Sequence, residues 1–245
     1  MSERVHIESI EMSDLNKKSQ NKIDDTSSIR ILYECTEDAR KIVKDNVRSV
    51  SPYVWVNKNR EAIEKVVKSG NLTDVKRLIS DNIIRDSLDF FNTILFGIDH
   101  GQLHIIEYLI EYLIEQYDID VDINNGYLLI RSIKIGNLDI IMYFIKKGVD
   151  IHRHGHFNVL KISAEQGHAE VFKYFVWKGA DTNTWADYSF QISAENGYFE
   201  IVKFLVGRKM VDISGYNNRA VLVSYLNGYF DIWNYLIEHG ASDGF

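Results

Sequence analysis

The chain has 245 residues, of which 45% are hydrophobic and 12% aromatic, and a formal charge of -7. That is enough apolar material to bury a core and too much for a disordered chain. One proline and fifteen glycines exclude a turn-rich β-sandwich, and a single cysteine, Cys35, excludes an internal disulfide or a cysteine zinc finger.

The charge is uneven. Residues 81–130 carry ten acids against one base, Arg85. An acidic surface repels phosphate backbones, so no nucleic-acid partner is expected. The chain opens on the polar run Met-Ser-Glu-Arg, unlike a signal peptide, and no apolar run approaches a bilayer span. With the lone cysteine, this makes a soluble, intracellular protein the expectation, without a membrane partner.

Taken in chain order, residues 1–29 are polar and mixed in charge, and are expected to be disordered. Residues 30–59 carry Ile31, Leu32, Ile42, Val43 and the run Pro-Tyr-Val-Trp-Val at 52–56. Such a segment is expected to fold back over the next stretch of chain and cap it, because the ends of a repeat array need covering. Recruitment of a second partner by this segment is the alternative.

From residue 60 on the chain repeats. A glycine recurs at Gly70, Gly101, Gly136, Gly167, Gly197 and Gly228, at intervals of 31, 35, 31, 30 and 31. With this glycine as position zero, apolar residues fill plus two, plus five, plus eight and plus nine, for example Ala169, Phe172, Phe175 and Val176. That spacing makes one face of an amphipathic helix. An acid at plus three in four repeats (Asp139, Glu170, Glu200, Asp231) suits the positive end of that helix.

A second helix is predicted ahead of each glycine, with an apolar residue at minus seven. At minus four stand Gly97, Ser132, Ser163, Ser193 and Ser224, small enough for close helix packing. The glycine is expected to end this helix in the left-handed conformation, and Gly148, Gly179 and Gly240 to end the other. Asp150 and Asp181 then lead into a polar hairpin. The 35-residue step comes from a tandem YLIE-YLIE at 108–115, read as one added helical turn.

The segments GHAEVFKYFVWKGAD and GYFEIVKFLVGRKMVD, preceded by ISAEQ and ISAEN, resemble ankyrin repeats. The resemblance covers about residues 60–245 in six copies: 60–90, 91–125, 126–156, 157–186, 187–217 and 218–245. It implies an all-α ankyrin-repeat solenoid of stacked helix-turn-helix pairs with short hairpin loops. The usual Thr-Pro-Leu-His opening is replaced by YLLI, NVLK, YSFQ and RAVL. With the Ile, Asn, Lys and Tyr-rich composition, that is similar to the ankyrin proteins of mimivirus-like giant viruses, so a viral protein working in the host-cell cytoplasm is expected.

The chemistry of catalysis is not visible. There is no phosphate-binding glycine loop and no HExxH. The minus-four serines recur in register, which marks them as packing residues. His152, His154 and His156 alternate along a loop, but no cysteine or spaced acid completes a ligand set, and they read as exposed loop residues. No catalytic, cofactor or metal site is expected.

The resemblance implies a scaffold that binds a protein partner on its concave face, through hairpin tips and the exposed side of the first helices. The hairpin positions are His154, His156, Phe157, Trp185, Asp187, Tyr216 and Asn218. The first-helix positions are Lys134, Glu165, Gln166, Glu195, Asn196 and Leu226. Trp185 and Tyr216 share a register, twelve residues before their glycines, and are expected side by side on adjacent tips. The alternative function is a substrate adaptor, with residues 30–59 recruiting machinery such as a ubiquitin ligase. The last repeat, expected to be followed by no further domain, places Leu226 where earlier repeats carry charge. Weak self-association through it is expected.

Overall fold

The structure is a computed structural model that describes residues 59–117, 121, 126–152 and 158–242, with the side chains of Tyr216 and Asn217 excepted. The expectations for residues 1–29 and 30–59 therefore lie outside the described residues, Asn59 apart. So do those for His154, His156 and Phe157.

Twelve helices succeed one another among the described residues, in six pairs, and no strand is present there. The first helices are α1 (Arg60–Ser69), α3 (Ser87–Asp99), α5 (Tyr127–Ile135), α7 (Val159–Glu165), α9 (Thr182–Asn196) and α11 (Gly215–Leu226). The second helices are α2 (Leu72–Ser80), α4 (Leu103–Tyr117), α6 (Leu138–Lys146), α8 (Ala169–Trp177), α10 (Phe199–Gly207) and α12 (Phe230–Glu238). Each first helix packs on the next first helix, and among the second helices α2 packs on α4, α8 on α10 and α10 on α12. The stack is an all-α solenoid.

The glycine step explains the pairing. All six repeat glycines have left-handed backbone, from φ +69° at Gly101 to +82° at Gly136, a region that costs a side chain dearly. Each stops its first helix and turns the chain into the second. The tandem YLIE is absorbed as predicted: α4 runs unbroken for 15 residues where the other second helices have nine.

The core follows the repeat register. Ile141, Phe144, Phe172, Phe175, Val202 and Leu205 are fully buried between the helix layers. Trp233, expected with them, is only half-buried; it lies in the last pair and packs on Tyr225 at a ring distance of 5.6 Å. The column at plus four, which the sequence pattern did not single out, is buried as well: Ile105, Ile140, Val171, Ile201 and Ile232. The minus-four residues are buried and small for cause. A Cβ on Gly97 would meet Ile106 at 2.8 Å. Ser132 and Ser163 return their hydroxyls to the carbonyls of Leu128 and Val159 at 2.8 and 2.7 Å, so neither is free to act as a nucleophile.

The hairpins are where the sequence reading needs correction. Asp181 does not open a hairpin but caps α9: one carboxylate oxygen accepts from the Thr184 N–H at 3.3 Å, the other from its hydroxyl at 2.5 Å. Residues 182–187 contain neither Gly nor Pro, so with the cap in place they wind into helix. Trp185 and Asp187 are consequently helical, not hairpin-tip, residues. Tyr216 and Asn218 likewise fall within α11, where Asn218 takes a left-handed φ of +57° that asparagine tolerates better than most residues.

Asparagine caps recur elsewhere. The Asn158 side-chain oxygen accepts from the N–H groups of Leu160 at 2.9 Å and Lys161 at 3.1 Å. Asn158→Ala is expected to lower stability by about 1 kcal/mol, read as a shifted urea midpoint with unchanged slope.

Candidate interaction surface

The first helices pack more closely on one another than the second helices do, and the side of the stack that they form is its inner layer. Across this inner layer three of the five joints are tied by side chains at minus two. Asp99 holds Arg131 of the next pair in a two-pronged ion pair at 2.7 and 2.9 Å. Glu165 accepts from the Tyr188 hydroxyl at 2.5 Å, and Glu195 lies 3.8 Å from Arg219. Each acid stands at the end of one first helix and reaches the first helix of its successor.

The middle of these ties is the richest. Lys161 on α7 lies 3.8 Å from Glu165 and stands over the rings of Tyr188 at 5.6 Å and Trp185 at 6.0 Å. Trp185 meets Tyr188 edge-on at 5.9 Å. The Tyr188 phenol is pushed up to about 12, by burial first, then by its bond to Glu165 and the charges of Glu165 and Glu195. It therefore remains a donor at any physiological pH. Two rings, a cation and two carboxylates lie together across the two first helices α7 and α9, all half-buried or exposed.

Of the residues singled out from sequence, this patch brings together Glu165, Trp185 and Glu195. Gln166 and Asn196 are exposed beside their glycines, and Asn196 turns its amide back onto the Ile192 carbonyl at 2.8 Å. Lys134 lies one pair earlier, where its carbonyl accepts from His168 Nε2 at 2.9 Å. Asp187 faces elsewhere, onto a shallow open groove with Thr182, Asn183, Ala186, Lys209 and Met210. Asn218 donates to the Ser242 hydroxyl at 2.7 Å. Leu226 is exposed at the end of the stack. The exposed His152 donates its N–H to Asp150 at 2.8 Å, a local loop contact.

Sequence reasoning missed Lys161, Tyr188 and Arg219. Tyr188 and Arg219 open the very tetrapeptides, YSFQ and RAVL, that replace the Thr-Pro-Leu-His motif. The signal was the Asp181-x-x-Thr184 cap, which starts α9 early. Trp185 and Tyr188 are then one helical turn apart on one face.

The outer face is built differently. An aromatic residue fills plus seven in five repeats, and a cation stands over most of these rings: Lys76 over Tyr108 at 4.7 Å, Lys147 over Tyr143 at 5.6 Å, Lys178 over Tyr174 at 5.6 Å, Arg208 over Phe204 at 5.3 Å. Even Trp177, 76% exposed, has Lys178 at 4.9 Å. Hydrated cations over these rings leave less bare apolar surface on this side.

Fold and surface together define a repeat solenoid that presents a faceted inner surface, a class that works by holding other molecules. The chain belongs to the ankyrin repeat family: the model of that family, described as ankyrin repeats (3 copies), matches residues 94–186 and 160–243, more than half of the sequence. It is similar to two ankyrin repeat proteins of Acanthamoeba polyphaga mimivirus. One is 36% identical over 93 residues, 37% of this chain and 15% of the relative. The other is 24% identical over 204 residues, 72% of this chain and 48% of the relative. The chain thus spans half or less of the length of these relatives. Among the described residues no helix is long and apolar enough to cross a membrane.

Proposed function

We propose that the protein is a non-catalytic scaffold that binds a protein partner on its inner face, centred on Lys161, Glu165, Trp185, Tyr188 and Glu195. The observation that carries this reading is the Trp185–Tyr188 pair. Aromatic rings held at an accessible face beside charged groups are the side chains that dominate interface energetics. The viral relatives support a setting in the cytoplasm of an infected host cell.

The test is affinity capture from host cells with the 245-residue chain, followed by mass spectrometry and measured binding of the captured protein. Tyr188→Ala with Lys161→Ala is expected to weaken binding by about thirtyfold or more, equivalent to roughly 2 kcal/mol, at little cost in melting temperature. Unchanged affinity with a lowered melting temperature would make the cluster structural and sink the proposal.

A further inference from the structure

The second helices keep their charges apart. On α4 the exposed acids Glu107, Glu111 and Glu115 share residues 105–117 with no base. Farther along, residues 140–147, 171–178 and 201–209, in and just after α6, α8 and α10, carry seven cations and no acid. Two of the seven are paired: Lys147 with Glu111, and Lys173 with Glu170 at 2.8 Å and Glu200 at 3.8 Å. Lys146, Lys178, Lys203, Arg208 and Lys209 are exposed and make no ion pair among the described residues. Among them stands Trp177, at 76% the most exposed large apolar side chain of the described residues, with the Tyr174 ring at 6.2 Å.

A cation near the end of a helix suits its negative pole. That demand is common to every second helix, yet α4 and α12 carry Glu115 and Glu238 there. It calls neither for Lys203, in mid-helix, nor for an indole left in water.

We propose that this edge is a second binding site, and that it takes an acidic, extended segment of a protein whose apolar side chain rests on Trp177. The complementarity is one of charge, since these cations stand unpaired on a chain of formal charge -7. The spacing suits an extended chain. α8 packs on α10, and helices in contact lie about 8–10 Å apart, the span of roughly three extended residues. A segment that crosses the helices with an acid at about every third residue meets a cation at each step. The edge is also bounded. Glu107, Glu111 and Glu115 lie on one side of it, Glu170 and Glu200 at the starts of α8 and α10, and Glu238 on α12. A short segment stays within that boundary. A nucleic acid or an anionic bilayer reaches past it, onto carboxylates that repel it.

Fluorescence anisotropy tests this, with a labelled decapeptide of Glu and Asp around one central Leu titrated with the full 245-residue chain. The expected result is saturable binding that weakens about tenfold or more between about 0.1 M and 1 M salt. Lys178→Glu with Arg208→Glu weakens it about tenfold or more, and Trp177→Ala about threefold or more, with melting temperatures within a few degrees of the parent. Should charge reversal at the helix ends lower the melt, Lys178→Gln with Arg208→Gln gives a smaller loss in the same direction. Tyr188→Ala with Lys161→Ala, on the first helices, leaves the peptide bound as before, so a failure of this site and a failure of the inner-face reading are told apart. No binding at millimolar protein, binding indifferent to the edge variants, or tighter binding of duplex DNA or phosphatidylserine vesicles than of the peptide would each overturn the proposal.

Discussion

Phe175→Ala is expected to destabilise the stack by about 3–5 kcal/mol, lowering the melting temperature by roughly 8–15 °C. Phe175 is fully buried at plus eight of the fourth helix pair, with the Tyr174 ring edge-on at 5.7 Å. Its ring fills space between the two helix layers, and truncation leaves a cavity that the stacked neighbours close only in part. The position in the chain matters too. A solenoid is held by contacts between adjacent repeats, so a defect in the middle weakens the coupling to both sides. Phe230→Ala, on the exposed end face, is the matching control and is expected to cost under about 0.5 kcal/mol in dilute solution. Urea unfolding followed by circular dichroism reads both. A Phe175→Ala protein that melts within a degree or two of the parent would show that the assigned register is wrong.

The second large effect is at Gly167. Its φ of +72° costs any side chain about 1–2 kcal/mol, and the Tyr198 ring lies 2.5 Å from where a Cβ would be. Overpacking adds about 1–3 kcal/mol, because the ring is wedged between repeats and must shift. Gly167→Ala is therefore expected to cost about 2–5 kcal/mol. Gly228→Ala isolates the backbone part: φ is +80° there, but nothing lies within 4 Å, so about 1–2 kcal/mol is expected. The difference between the two variants measures repeat-to-repeat packing. Equal costs would mean that Tyr198 does not hold the joint between the fourth and fifth pairs.

The two glycines also mark how far a sequence reaches. The period of the glycines and the apolar columns after them determined the class of fold by itself. Left-handed turns and buried helix faces are local demands that show as residue type at fixed spacing. The six helix pairs, the burial of Phe144, Phe172 and Phe175, the packing role of Ser132 and Ser163, and the added turn in α4 all derive from that pattern.

Only the tertiary structure decided what crosses from one repeat to the next. That Tyr198 covers Gly167, that Tyr188 reaches Glu165, and that Arg219 meets Glu195 are contacts between residues 23 to 31 positions apart. No local period encodes them, since they depend on how the helices stack. The start of α9 lay between the two. Its cap, Asp181 with Thr184, is local, yet a hairpin and a helix both satisfy the polar run after it until the packing of α9 on α7 and α11 selects the helix. With that choice Trp185 moved from a loop tip to the inner face, half-buried beside Tyr188. The surface that a partner meets is thus set by stacking geometry, because burial fixes the register of a repeat while leaving its exposed side chains free to differ.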